Sequence, residues 1–223
     1  MRVLIVDQCS SAKKTSDRND PLDKDAIDTT PLEELVNKDG VESYRAEELY
    51  QGRQQQRITE AKKLLEQAGD DVDRVFISAG FGFVDGSQEL PIYNVTFNDA
   101  GASEIDDRSE KLGIQEDLRE LISGDSYDVI FFALGSDYYR SAELNEILPD
   151  VPETTSVVVF NREDLAEEDE NVLSIPARTS QAKTYGTIVV ALKGEYLRNF
   201  ASHRTAGEDI EGIDDIKHFC EQQ

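Results

Sequence analysis

Short runs of apolar residues alternate along the chain with segments in which apolar residues recur every three or four positions. A compact run predicts a buried strand, and helical spacing predicts a helix that packs on the sheet. The predicted strands lie at residues 2–9, 74–78, 127–134, 156–160 and 172–175. Because strand and helix units alternate, the pattern predicts an α/β fold with a mostly parallel sheet and helices on both faces.

The clearest helical pattern covers residues 45–68, where Leu49, Ile58 and Leu65 recur at helical spacing and Gly69 offers a stop. This segment predicts one long amphipathic helix. Further helices are predicted at residues 104–122, at residues 138–148 and around residues 216–220.

Residues 180–202 fit two interpretations. A strand is indicated at residues 187–192, but a four-residue repeat favours a helix, and we predict the helix. The repeat consists of Ile188, Leu192, Tyr196 and Phe200.

The segment after the first strand is rich in polar residues. Residues 10–41 contain Pro21 and Pro31 among many Ser, Asp, Lys and Thr residues, so we expect a long loop with a short helix at residues 32–36. Loops of this length often carry function. At the other end of the chain, residues 205–223 are expected to form an acidic tail with a short helix.

The charge of the chain changes this picture of an ordinary α/β protein. Its 223 residues are enough for one domain spanning residues 1–223, and its 47 acidic and 23 basic residues give a net charge of −24. Self-repulsion of this size opposes compaction, whereas in about 1 M salt a Debye length of roughly 3 Å screens it. Dispersed acids favour a solvating, salt-adapted surface, and the alternative is an acidic mesophilic protein with a basic partner.

Cysteine usage and hydropathy indicate the compartment. Cys9 and Cys220 lie at opposite ends of the chain and form no CxxC motif, so we expect two unpaired thiols in a reducing environment. No apolar run approaches the roughly 20 residues that cross a bilayer. We therefore expect a cytoplasmic protein without a membrane partner.

Candidate chemistry lies in the turns that follow the predicted strands. Ligands of open parallel sheets bind outside the carboxyl ends of the strands, where loops and helix amino termini converge. The turns after Cys9, Ser78, Leu134 and Ile175 offer hydroxyls, backbone amides and cations, which suit a phosphate or another anion. The residues expected to line the ligand in three of these turns are Cys9, Ser10, Lys13, Ser78, Gly80, Gly82, Gly135 and Ser136.

Several common sites are not indicated. Gly80 and Gly82 do not complete a GxGxxG motif because Asp85 stands at the third glycine position, and no Walker lysine follows them, so they also fit ordinary turn glycines. Cys9 has no histidine or second cysteine near it in sequence and fits a buried structural residue as well as a nucleophile. His203 and His218 lack zinc-ligand spacing, and no metal site or specific cofactor is predicted.

Three motifs in order resemble a known family. The motifs are Cys9-Ser10-x-x-Lys13 after the first strand, Ala46-x-x-Leu49-Tyr50-x-Gly52 at the first long helix, and the segment 76–84 followed by Tyr93. This order resembles the peroxide-stress YaaA-like group and is similar to small stand-alone relatives of the archaeosine synthase core domain. The resemblance covers residues 2–97, and the remainder follows by element order. It implies a compact α/β domain used around nucleic acids, in base modification or in DNA protection under oxidative stress.

Three hypotheses follow for function. In the first, the protein binds a nucleotide or modified nucleobase, as a binding protein or as an enzyme of nucleic-acid modification; Tyr50 or Tyr93 would stack on the base or hydrogen-bond to it. The anionic group would be held by Ser10, Lys13, Arg53, Ser78 and Gly80.

The second hypothesis is a non-enzymatic, nucleic-acid-associated stress protein, and the third is a partner subunit of a defence or modification system. A net charge of −24 opposes long-range attraction to DNA, so any nucleic-acid contact would need a local basic groove. The residues expected to form that groove are Arg178, Lys183, Arg198 and Arg204.

Overall fold

A six-stranded sheet forms the centre of the structure, a computed structural model that describes residues 1–15, 20–98, 100–124 and 126–222. Its strand order is β4-β3-β1-β6-β7-β8, and a separate antiparallel pair joins β2 to β5. The strands are β1 (Arg2–Gln8), β2 (Ser43–Arg45), β3 (Asp71–Ser78), β4 (Gly82–Asp85), β5 (Glu89–Pro91), β6 (Val129–Phe132), β7 (Ser156–Phe160) and β8 (Val172–Ile175).

Strand β1 lies at the centre of the sheet because its apolar run is completely buried between two parallel neighbours. It pairs with β3 on one side and with β6 on the other. Strands β7 and β8 extend the parallel sheet, and β4 alone runs antiparallel, on the outer side of β3. The predicted mostly parallel α/β sheet is therefore confirmed.

Helices cover both faces of this sheet. The helices are α1 (Lys24–Thr29), α2 (Leu32–Val36), α3 (Ala46–Leu49), α4 (Arg53–Gln67), α5 (Ala102–Lys111), α6 (Ile114–Gly124), α7 (Ser136–Ala142), α8 (Leu144–Ile147), α9 (Glu163–Glu168), α10 (Thr179–Thr184), α11 (Val189–Thr205) and α12 (Ile213–Glu221). One apolar cluster joins the sheet to α4, α10, α11 and α12, and a second cluster joins the opposite face to α5 through α9 and to the segment around α1 to α3. The prediction of helices on both faces is thus confirmed.

The predicted helix at residues 45–68 is wrong in one respect, because it is interrupted. The chain forms β2, α3 and α4 here, and the break between the two helices lies at residues 50–52. The reason is a long-range contact: Lys13 forms an isolated β-bridge with Tyr50, and the backbone N–H of Gln51 donates to the carbonyl of Ala12 at 2.8 Å. These contacts hold the break in an extended conformation that local spacing cannot reveal.

Two other predicted helices are also divided. Residues 104–122 contain α5 and α6, which separate at Gly113, whose φ of 65° lies in the left-handed region that glycine adopts without strain. Residues 138–148 contain α7, α8 and a following 3-10 turn, with Glu143 between the two helices at φ 43°. The choice of helix over strand for residues 180–202 is confirmed, but this segment is divided as well, into α10 and α11 with residues 185–188 between them.

The two segments expected to be irregular contain more structure than predicted. The loop at residues 10–41 includes the expected helix α2 and also α1, which was missed because Ile27 is its single buried apolar residue. The acidic segment 205–223 packs onto α11 through Phe219 and Cys220 of α12.

Both Cys9 and Cys220 are free and buried. In the described ranges, no helix has the length and apolarity needed to cross a membrane.

Candidate functional site

The carboxyl ends of β3, β1 and β6 meet at one edge of the sheet. From β1 the chain reaches β3 through α4 on one face, whereas from β6 it leads into α7 on the opposite face, so the strand order reverses between β1 and β6. Such a reversal leaves a crevice that commonly binds ligands. The N–H of Cys9 donates to the carbonyl of Ile77 at 2.9 Å, and the N–H of Gly135 donates to Gln8 Oε1 at 2.5 Å. The loops that begin at Ser10, Ser78 and Gly135 are therefore neighbours.

A chain of buried hydroxyls lies beneath the loop that follows β3. Ser78 Oγ is 2.7 Å from the hydroxyl of Tyr93, which is 2.7 Å from the hydroxyl of Tyr50. Burial raises the pKa of Tyr50 and Tyr93 well above the usual range for a phenol, so both stay neutral. Their rings are only 1% and 2% exposed, and in this structure neither presents a face on which a base could stack, contrary to the expected stacking role.

The turn after Ser78 is closed by its own side chain. The backbone N–H groups of Gly80 and Phe81 both donate to Ser78 Oγ at 3.1 Å, so these amides are already used and do not await a phosphate. A Cβ on Gly80 would lie 2.6 Å from Tyr93 Cε2. Gly82, at φ 74°, faces the backbone of Leu112 instead. The absence of a side chain at the two glycines makes room for Tyr93 and Leu112 of the protein itself. This corrects the expectation that the glycines let a ligand approach the backbone.

Cys9 is tied into the same buried group of side chains. Its sulfur is hydrogen-bonded to the hydroxyl of Tyr138 at 2.9 Å, and only 2% of the residue is exposed. Burial raises the pKa of Tyr138 far above that of a free phenol. Tyr138 follows the predicted turn after Leu134 and was expected to begin a helix; nothing in the local sequence shows that α7 directs its side chain toward β1.

Lys13 is the charged member of this group. Its Nζ lies 4.3 Å from the centroid of the Tyr93 ring, and the β-bridge to Tyr50 fixes its backbone. Burial lowers the pKa of Lys13, and the nearby Cys9 sulfur acts in the opposite direction. The neighbouring Lys14 differs, because it forms an ion pair with Glu48 at 3.3 Å.

A second polar network lies on the opposite face of β1. The buried residues Asp7 and Arg74 form an ion pair at 2.7 Å, and Asp7 Oδ1 accepts from the side-chain amides of Gln54 at 2.8 Å and Gln55 at 3.2 Å. These bonds attach the first turn of α4 to β1 and β3. Sequence reasoning assigned no role to these residues, although a charge at the end of each of two apolar runs was a usable signal.

Lys193 of α11 reaches this face of the crevice. Its Nζ donates to the carbonyl of Leu134 at 2.5 Å, just beyond the carboxyl end of β6. Burial lowers the pKa of Lys193 to about 8, and the Asp7 carboxylate opposes that effect. Among the lysines and arginines that the structure describes, Lys13 and Lys193 alone combine incomplete exposure with the lack of an ion-pair partner. Both lie at the same edge of the sheet.

The remaining predicted residues lie around this centre without joining it. Ser10 Oγ accepts from the N–H of Ala12 at 3.1 Å. Arg53 is exposed and lines a shallow cleft of about 240 Å³ between α4 and the start of α11. Ser136 lies in a larger surface cleft of about 750 Å³ with Arg140 and Arg162, each of which is paired with an aspartate.

Three of the four cations predicted to form a basic groove are paired with carboxylates in the structure. Arg178 pairs with Glu163 at 2.6 Å, and Arg198 pairs with Glu195 on its own helix. Arg204 binds the buried Asp70 at 3.0 Å, next to the amino end of β3 and therefore at the opposite edge of the sheet from Arg178.

Within the described residues, no group of three or more His, Cys, Asp or Glu side chains is arranged to hold a metal ion. Comparison of the chain with protein-family models and with curated proteins gave no match.

Proposed function

We propose that the carboxyl edge of the sheet binds an anionic nucleotide or nucleobase-like ligand, with Lys13 as the main cationic contact. The observation that carries the proposal is the half-buried ammonium group of Lys13, which has no carboxylate partner among the residues that the structure describes, although the chain is strongly acidic. Burying a charge without a partner costs free energy, and a bound anion would offset that cost. The position, at the reversal of strand order, is where open α/β sheets bind ligands.

The surroundings of Lys13 suit an anion. The ring of Tyr93 contacts the ammonium group on one side by a cation–π interaction, and in this proposal the ligand contacts the group from another side. Reduced solvent contact strengthens the attraction between this cation and an anion compared with bulk water. The strongly negative surface would otherwise repel such a ligand, so a local cation is required.

The resemblance to the YaaA-like group and to archaeosine synthase relatives supports a ligand from nucleic-acid metabolism. The residues that carry this resemblance, Cys9, Ser10, Lys13, Tyr50 and Tyr93, lie in one neighbourhood around Lys13. An enzymatic role in nucleic-acid modification is one form of the proposal, and binding without catalysis is the other. Direct association with DNA is less favoured because three of the four cations expected in a basic groove are already paired with carboxylates.

Isothermal titration calorimetry with AMP, ADP and ATP tests the proposal on the wild type, Lys13→Ala and Lys14→Ala at constant salt. Loss of a charge-assisted contact should weaken binding of the Lys13→Ala variant by about 1–3 kcal/mol. Lys14→Ala is the matched control, since Lys14 is adjacent in sequence but already paired with Glu48. Equal affinity of Lys13→Ala and wild type, or no binding of any nucleotide to the wild type, would contradict the proposal.

A further inference from the structure

We propose that Lys193 is a second cationic contact of the same crevice, so that the ligand carries two separated anionic groups, as a nucleoside diphosphate or triphosphate does. This inference rests on the proposed function and adds the class of nucleotide. Nothing in the family resemblance points to Lys193, because the motifs that carry it end at Tyr93 and Lys193 lies 100 residues later.

The geometry places the two lysines on opposite sides of the crevice. Lys13 is supported by Tyr93, whose hydroxyl bonds to Ser78 at the end of β3, whereas Lys193 donates to Leu134 beyond the end of β6. Strand β1 separates these two ends, and two strand spacings amount to about 10 Å. A ligand that contacts both ammonium groups must therefore extend across the end of β1. A phosphate chain attached to a nucleoside has this extended form.

Lys193 is held in place without an ion-pair partner among the described residues, although the Asp7 carboxylate lies near enough to favour its charged form. Its helix contacts the first turn of α4 so closely that a Cβ on Gly194 would lie 2.7 Å from the carbonyl oxygen of Gln54. The neighbouring carboxylate of Glu195 binds Arg57 and Arg198 rather than Lys193. An anion in the crevice would supply the missing partner.

The charged groups that face Lys193 from the packed elements are already committed to one another. Asp7 of β1 is paired with Arg74 of β3 and accepts from two side-chain amides of α4. Because Asp7 and Arg74 carry opposite charges, they leave Lys193 near an almost neutral pair. The ammonium group remains the free charge on this side of the crevice in the part of the chain that the structure describes.

Comparison of AMP with ADP and ATP tests this inference by calorimetry on the wild type, Lys193→Gln and Lys217→Gln. Lys193→Gln should lower the affinity for ADP and ATP about ten-fold, the loss of one charge-assisted contact, and should affect AMP less. Lys217→Gln removes an exposed, unpaired lysine of α12 and should change nothing. If Lys13→Ala weakens ADP binding and Lys193→Gln does not, then Lys193 does not contact the ligand and the inference is wrong. Failure of the wild type to bind any nucleotide contradicts the proposed function itself.

Proton uptake gives a second readout that a purely structural lysine would not change. The pKa of Lys193 is about 8, so near that pH an anion that contacts it should draw a proton onto the amine. Uptake is measured from the binding enthalpy in two buffers that differ in ionisation enthalpy. Lys193→Arg keeps the charge and should keep the affinity but lose this share of the uptake. Unchanged uptake in Lys193→Arg would overturn the inference even if Lys193→Gln fails to fold.

Discussion

The hydroxyl of Tyr93 connects two other buried hydroxyls whose bonding directions can be worked out from donor and acceptor capacity. Ser78 Oγ accepts from two backbone N–H groups, which use both of its lone pairs. Its own proton therefore goes to Tyr93, which donates in turn to Tyr50. The hydroxyl of Tyr93 thus connects Ser78, in the turn after β3, to Tyr50, at the break between α3 and α4. The same bonds hold the Tyr93 ring in place beneath Lys13.

Removing this hydroxyl should destabilise the fold measurably. Tyr93→Phe leaves the Ser78 proton without its acceptor and the Tyr50 hydroxyl without its donor, so we expect the free energy of unfolding to fall by about 1–3 kcal/mol. Tyr44→Phe is the control, since its half-buried hydroxyl bonds to Glu42 at 3.2 Å and its loss should cost about 0.5 kcal/mol or less. Urea denaturation at fixed salt measures both. Equal losses would show that the buried chain of hydroxyls contributes nothing beyond an ordinary surface bond.

At the level of elements, the site depends on how closely α11 packs on α4. Gly194 permits this approach, and the first turn of α4 is in turn attached to Asp7 by two glutamine side chains. Packing of the two helices therefore positions Lys193 over the crevice. The helices also cover one whole face of the sheet, so the same contact serves both stability and the site.

The substitution Gly194→Ala should disturb both the stability of the fold and the site. Its Cβ would lie 2.7 Å from the backbone of α4, so the helices must separate, and we expect a loss of about 1–3 kcal/mol in unfolding free energy. The substitution Gly124→Ala at the end of α6 meets no atom within 4 Å and should be neutral or slightly stabilising. Urea denaturation of the two variants compares them directly. Wild-type stability of Gly194→Ala would mean that the close packing of α11 on α4 is not required.

The parts of the fold that local pattern can determine were predicted well, and the parts set by long-range contacts were not. Strands β7 and β8 were predicted at their observed residues because a short, mostly apolar run has few alternatives. The break at Tyr50 was missed because Lys13, 37 positions earlier, imposes it. Lys193 was missed as a site residue for the same reason: its significance arises only where α11 meets the end of β6. That the chain forms one domain stays a prediction.

At the scale of the whole molecule, the net charge of −24 predicts that stability rises with salt. Repulsion among carboxylates is costly when unscreened, and a Debye length of about 10 Å at 0.1 M falls to roughly 3 Å at 1 M. We expect the melting temperature to be higher in about 2 M KCl than in about 0.1 M KCl. Chloride is chosen because sulfate would stabilise most proteins by exclusion from their surface. A melting temperature that is unchanged or falls with salt contradicts the salt-adapted interpretation.

The most direct test of the central claim is a crystal structure of the protein with bound ADP. A phosphate oxygen is expected within about 3.2 Å of Lys13 Nζ, the range of a charge-assisted hydrogen bond, with the nucleotide across the end of β1. Nucleotide density in another place, such as the cleft beside Arg140 and Arg162, would contradict the account. The same result would leave Lys13 as a buried lysine whose role is structural.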